Sequence, residues 1–319
     1  MRRLYCTYFD AGYLSRGVVM LDSLIACDPE AHVYVLALDE GVREPLNETF
    51  GSDVTVVSHV QFEQAAGDLA ELKAQRSPME YIFSSTAAWM IYVQRLASEE
   101  GQWVTYVDAD ICFFGSVDAV YEDLGTSSVG IVEHRYPSWR RDLSKYGRFN
   151  VGWVSVRNDE RGRACLRWWD ERLREWCFDR VEGDLFADQG YLTQFPAHDW
   201  SVRVLTDPGY NVAPWNLARH QVDVKNGELT SDGRPLIFFH FHGVRRGGQR
   251  FYLSNLVPYG AWPTGVVKRR LYTPYLERLM EVEATLPTEM SPPRNSRTFS
   301  LKRAALSALT RIMGDSVRL

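Results

Sequence analysis

Two carboxylates stand one residue apart, at Asp108 and Asp110. They come directly after the apolar run Val104-Thr105-Tyr106-Val107 and directly before Ile111-Cys112-Phe113-Phe114. Oxygen ligands at that spacing can hold one hard cation. Side chains alternate along a strand, so the pair would share a face. Two charges inside an apolar stretch are costly to bury without a partner, which favours a cation over an ordinary acidic turn. A further ligand is expected from Ile237-Phe238-Phe239-His240-Phe241-His242-Gly243, where His240 and His242 fall on one face of a strand. Either imidazole fits, and His beside carboxylate suits Mn²⁺, with Mg²⁺ as the alternative. Arg246 follows closely and can clamp a diphosphate. A cation gathered there would neutralise the charge that develops on a departing diphosphate.

Alternating strands and helices must position these groups. Leu4–Phe9, Val33–Leu38, Val54–Ser58 and Val104–Val107 read as short apolar strands. Helices are expected between them, at Arg16–Ala26 and Ser84–Ser98. That alternation predicts βαβ crossovers and a mostly parallel α/β sheet. The carboxylates then lie at the C-terminal end of a buried strand, where open α/β sheets bind ligands. Val129–Glu133 and Phe149–Val156 read as further strands around a polar, basic loop from His134 to Arg148. Asp159–Phe178 reads as a helix with Leu166, Trp169, Leu173 and Trp176 on its apolar face. Pro235–His242 is a later strand and Tyr272–Leu286 a later helix.

With 319 residues and 45% hydrophobic residues the chain can bury a large core. Its net charge of -5 argues against nucleic acid as the main partner. Ten Trp and sixteen Tyr either fill the core or line a pocket for planar rings. Cys6, Cys27, Cys112, Cys165 and Cys177 match no zinc spacing and read as reduced and buried. That reading, with neither a leader nor an apolar run of about 20 residues, implies a cytoplasmic protein, soluble or peripheral on the inner face of the membrane. Ser291-Pro292-Pro293 breaks structure, so residues 1–286 are expected to form the catalytic domain and 287–319 a linker and tail. Beyond Pro293 the chain holds six basic residues against one acid, Asp315. The tail reads either as a basic amphipathic helix that lies on anionic lipid or as a packing helix or frayed terminus.

In their order along the chain, seven segments resemble bacterial GT-A-fold glycosyltransferases related to the family 8 retaining enzymes. They are Tyr5-Cys6-Thr7-Tyr8-Phe9-Asp10-Ala11-Gly12-Tyr13-Leu14, Glu80-Tyr81-Ile82-Phe83-Ser84, Tyr106-Val107-Asp108-Ala109-Asp110, Phe149-Asn150-Val151-Gly152-Trp153, Ala187-Asp188-Gln189-Gly190-Tyr191-Leu192, Ala213-Pro214-Trp215-Asn216 and His240-Phe241-His242-Gly243. The resemblance implies a GT-A fold with a helical C-terminal extension and transfer of sugar from a nucleoside diphosphate donor, UDP-linked in particular. Surface polysaccharide or glycoconjugate synthesis is the implied setting. The acceptor is a carbohydrate, lipid-linked or other hydroxyl, and retention of configuration is implied.

By that resemblance, Thr7, Asp10 and Tyr13 hold the nucleoside. Asp10 accepts from a base N–H, or else caps the following helix. Gly12 stands where the family usually carries Asn. Asp108, Asp110 and His240 hold the cation, and Arg246 occupies the position of a family Lys. Asn150, Asp188 and Gln189 bind the donor sugar, with Asp188 and Gln189 the candidate catalytic groups. Asn211 and Asn216 close the pocket around Trp215, which stacks on a sugar ring or simply packs. Arg76 and Glu80 adjoin the phosphates or form a salt-bridged helix start. The rival readings are a nucleotidylyltransferase on a similar sheet and a non-catalytic nucleotide-sugar-binding protein. The first normally needs a Gly-rich basic loop where this chain has Asp10-Ala11-Gly12-Tyr13.

Overall fold

The computed structural model describes residues 2–248, 251–286 and 314–318. The chain divides into two compact units. The first takes Met1–Asp10, Asp28–Asp108 and Val117–Thr206, and the second Ala11–Cys27, Ala109–Ser116 and Asp207–Leu319.

The first unit is built on a seven-stranded mixed sheet. Arg3–Phe9 lies parallel to Ala31–Ala37 and to Trp103–Val107, and Ala31–Ala37 lies parallel to Val54–Ser58. Phe149–Arg157 runs antiparallel between Trp103–Val107 and Val129–Glu133, and Val202–Leu205 pairs parallel with the latter. The sheet is thus mostly parallel, as the alternating pattern implies. The helix Glu160–Glu175 starts where Asp159 accepts from the Gly162 N–H at 2.8 Å. It buries Cys165, Leu166, Trp169 and Leu173, while Trp89 and Phe62 meet edge to face beneath the same sheet. Truncating any of these aromatic rings to Ala would remove about 3–5 kcal/mol.

The expected Ser84–Ser98 helix is Thr86–Gln94, and a separate helix, Pro78–Ser84, precedes it across a break at Ser85. Three successive hydroxyls explain the break. Ser84 Oγ bonds the Glu80 carbonyl, Ser85 Oγ the Tyr81 carbonyl and Thr86 Oγ1 the Phe83 carbonyl, at 2.6, 2.8 and 3.1 Å. The first helix begins in a capping box formed by Ser77 and Glu80, with Pro78 in its first turn.

In the second unit, Phe238–His240 pairs antiparallel with Ile111–Phe113, and His240 faces Ile111. The sequence reads Pro235–His242 as one strand, whereas Arg234–Pro235 belongs to a separate sheet with Glu228–Ser231. The ladder ends at His240 because Phe241 turns back, its carbonyl accepting from Val244, with Gly243 at φ 72. The helices Leu14–Cys27 and Thr273–Thr285 complete this unit.

The C-terminal end differs from expectation. Ser316–Arg318 is a strand against Phe251–Leu253, with Val317 fully buried. Asp315 accepts from the Ser254 hydroxyl and, at 2.9 Å, from the Leu256 N–H. Residues 315–318 are thus structural parts of this unit. The expected amphipathic helix around Leu301–Met313 lies outside the described residues.

Candidate active site

Asp108 and Asp110 do not lie on one strand. The strand ends at Val107, residues 109–110 form a turn, and the next strand starts at Ile111. Asp108 ends the first unit's Asp28–Asp108 stretch and Asp110 belongs to the second unit.

In the first unit, the Asp108 N–H donates to the Gly152 carbonyl, and Oδ1 accepts from the Tyr106 hydroxyl at 2.9 Å. Asp188 is 2% exposed. Its Oδ2 accepts from Thr86 Oγ1 at 2.8 Å, and its carbonyl accepts from Trp169 Nε1 at 3.1 Å. The residue before it, Ala187, sits at φ 46, a left-handed conformation that stores on the order of 1 kcal/mol for a residue with a Cβ. Burial pushes the Asp188 carboxyl up to about 7, and the charge of Asp108 adds to the rise. Hydrogen bonds from Thr86 and from the amides of Asp188 and Gln189 pull the other way without offsetting it. The unit thus holds one carboxyl able to carry a proton near neutrality.

Gln189 is anchored through Nε2 to the Tyr146 carbonyl at 2.7 Å. Asn150 is 5% exposed and accepts from the Gly152 N–H at 3.2 Å, opposite a bulge between Ile131 and Val132. Thr7 is fully buried, its carbonyl accepting from Trp89 Nε1, whereas Asp10 is exposed. Arg76 is 8% exposed, bonding Ser84 Oγ and the carbonyls of Leu173 and Arg174. With Glu80 engaged in the capping box, both residues serve the helix start.

In the second unit, Asp110, His240 and His242 bring their ligand atoms within 4.8 Å of one another. His240 Nε2 lies 2.8 Å from Asp110 Oδ1, with side chains 3% and 12% exposed, and His242 is exposed. Burial alone would raise the Asp110 carboxyl. His240 against it, assisted by His242 and Arg16, more than offsets this and holds it below the usual carboxylate range. Both imidazoles therefore belong to the cluster that the sequence left open between them. Two imidazoles and a carboxylate fit a borderline divalent ion such as Mn²⁺.

Trp215 is 5% exposed, its ring edge-on to His240 at 5.0 Å and to His242 at 5.4 Å. The Pro214-Trp215 turn is built by two asparagines. Asn216 Nδ2 donates to the Asn211 carbonyl and Asn216 Oδ1 accepts from the Ala213 N–H, both at 2.9 Å, with Asn211 at φ 49. Tyr13 is 47% exposed with the Arg16 guanidinium 4.7 Å from its ring centre. Arg16 also donates to the Val244 carbonyl at 2.9 Å. Arg246 pairs with Glu283 at 2.8 Å, so part of its charge is already balanced. Sequence reasoning assigned no site role to Arg16, Thr86, Tyr8 or Tyr106. The three-residue offset of Tyr13 and Arg16 at a helix start was the available signal for Arg16.

No family model matches the chain. The uncharacterized protein YfnF of Bacillus subtilis (strain 168) is 30% identical over 253 residues, which cover 77% of this chain and 82% of YfnF. This chain and YfnF belong to one family. YfnD of the same organism, also uncharacterized, is 25% identical over 290 residues, covering 89% of this chain and 92% of YfnD. Among solved structures, the galactosyltransferase LgtC in complex with donor and acceptor sugar analogs superposes with a TM-score of 0.53 at 16% identity. That match covers 90% of this chain and 98% of LgtC. The YfnF relative described here thus has the GT-A fold of glycosyltransferases.

Proposed function

We propose that this protein transfers a glycosyl group from a nucleoside diphosphate sugar, UDP-linked, to an acceptor hydroxyl with retention of configuration. The observation that carries the reading is the Asp110–His240–His242 cluster in a chain of GT-A fold. In the reaction the bond from the anomeric carbon to the diphosphate oxygen breaks and its electron pair leaves with the phosphate. A bond to the acceptor oxygen forms and the acceptor proton departs.

The second unit supplies the groups suited to a nucleoside diphosphate. Asp110, His240 and His242 would hold Mn²⁺ or Mg²⁺. A bound cation would supply charge stabilisation to the departing diphosphate. Tyr13 offers an exposed ring for a base and Arg16 a cation that the protein orients. Arg246 is kept as a diphosphate contact that would exchange with Glu283. The first unit supplies groups suited to sugar hydroxyls, namely Asn150, Gln189 and Asp188, whose raised carboxyl can hold or release a proton near neutrality.

The test is thermal stability with nucleotides. UDP at about a hundred times its Kd should stabilise the chain by about 2.7 kcal/mol in the presence of Mn²⁺. Without metal, or with His240→Ala, the shift should shrink. Stabilisation by another nucleotide but not by UDP would overturn the uridine assignment.

A further inference from the structure

Asp188 does not meet Thr86 alone. Thr86 Oγ1 lies 2.8 Å from Asp188 Oδ2 and 3.0 Å from the Tyr8 hydroxyl, and all three residues belong to the first unit. Thr86 is fully buried and Tyr8 half-buried. Each hydroxyl has one proton to give. A carboxylate accepts only, so with Asp188 ionised Thr86 must donate to it, and Tyr8 must then donate to Thr86. With Asp188 protonated the situation changes. The two backbone amides that face the carboxyl, those of Asp188 and Gln189, cannot accept a proton. Among the described residues Thr86 Oγ1 is the acceptor in reach of Oδ2, and it can pass its own proton to the Phe83 carbonyl 3.1 Å away. The direction of the hydrogen bonds therefore follows the charge on Asp188.

We propose that Thr86 and Tyr8 are positioning residues for Asp188, a two-hydroxyl chain that sets the aim of its carboxyl and the ease with which it ionises. The break in the helix at Ser84-Ser85-Thr86 serves this placement, because it turns Thr86 from a helix-interior position to a helix start facing Asp188. The other groups around the carboxyl do not replace the chain. Asp108, the residue after the strand Trp103–Val107, opposes ionisation. Tyr106 spends its proton on Asp108, and burial pushes the Cys177 thiol up, so it stays neutral.

The inference bears on catalysis only through the glycosyl-transfer reading of Asp188, so its test is made without substrate. The protein is labelled with ¹³C at aspartate side-chain carboxyls, and the Asp188 signal, assigned by its loss in Asp188→Asn, is titrated. The midpoint should lie near 7 in the parent. Loss of a hydroxyl donor to a charged acceptor should move it up by about one pH unit in Thr86→Val. Thr86→Ser should restore it, and Tyr8→Phe should move it the same way by less. Should Thr86→Val fail to fold, Tyr8→Phe and Thr86→Ser carry the test. Midpoints in Thr86→Val and Tyr8→Phe unchanged from the parent would overturn the proposal. A shifted midpoint with an unshifted pH profile of sugar transfer would leave the hydroxyl chain standing and remove Asp188 from the reaction.

Discussion

At the scale of single residues, the account turns on groups whose ionisation is set by what surrounds them. Asp188 titrates near 7 in the folded chain against an ordinary value of 3.8. Between those values the folded state binds more protons than the unfolded one, so this residue's contribution to stability falls as pH rises through the window. Asp188→Asn should therefore stabilise the protein by about 4 kcal/mol at pH 8 and clearly less at pH 5, read by chemical denaturation. An equal gain at both pH values would show that the carboxyl is not neutral when the chain folds. Trp215 makes a different prediction. Its ring lies against both imidazoles, so Trp215→Leu should weaken Mn²⁺ binding about 10–100-fold in calorimetric titration. Unaltered metal affinity together with weaker donor binding would favour the sugar-stacking reading. Asp110 and the His240–His242 pair were legible because charge in an apolar run has few explanations. Arg16 and Thr86 were not, since an Arg or Thr at a helix start is unremarkable until folding shows what it faces.

At the scale of elements, the strands Val54–Ser58 and Val129–Glu133 fall at the bounds that composition implies, while the helix read over Asp159–Phe178 spans Glu160–Glu175, with Asp159 as its cap. Sheet order was not legible. Phe149–Arg157 runs antiparallel amid parallel neighbours, and its partners are set by packing among residues distant along the chain. The helix Pro78–Ser84 was not read from the sequence, and it is set off from Thr86–Gln94 by hydroxyl-to-carbonyl bonds that act locally. Arg76 belongs to this scale. It ties the start of Pro78–Ser84 to the end of Glu160–Glu175 through the carbonyls of Leu173 and Arg174. Arg76→Met should lower stability by about 2–4 kcal/mol, by orphaning buried carbonyls, and leave nucleotide affinity unchanged. A loss of nucleotide binding in a variant of parental stability would instead return Arg76 to the phosphates.

At the scale of the whole molecule, the chain passes between its two units after Asp10, Cys27, Asp108, Ser116 and Thr206. Cutting at residue 286 would leave the second unit without Ser316–Arg318, which pairs with Phe251–Leu253. Among the described residues no helix is long and apolar enough to cross a membrane. One unit carries the Asp110–His240–His242 cluster and the other the buried Asp188 carboxyl, which burial raises. The most direct test of the central claim is to incubate the purified protein with UDP-, GDP- and dTDP-linked sugars and Mn²⁺ and to follow release of nucleoside diphosphate, with water as acceptor of last resort. One donor class, the UDP sugars, should be consumed above the protein-free rate, with consumption lost on chelation and in Asp110→Ala and Asp188→Ala. No consumption of any donor, or turnover unaffected by both substitutions, would contradict the account.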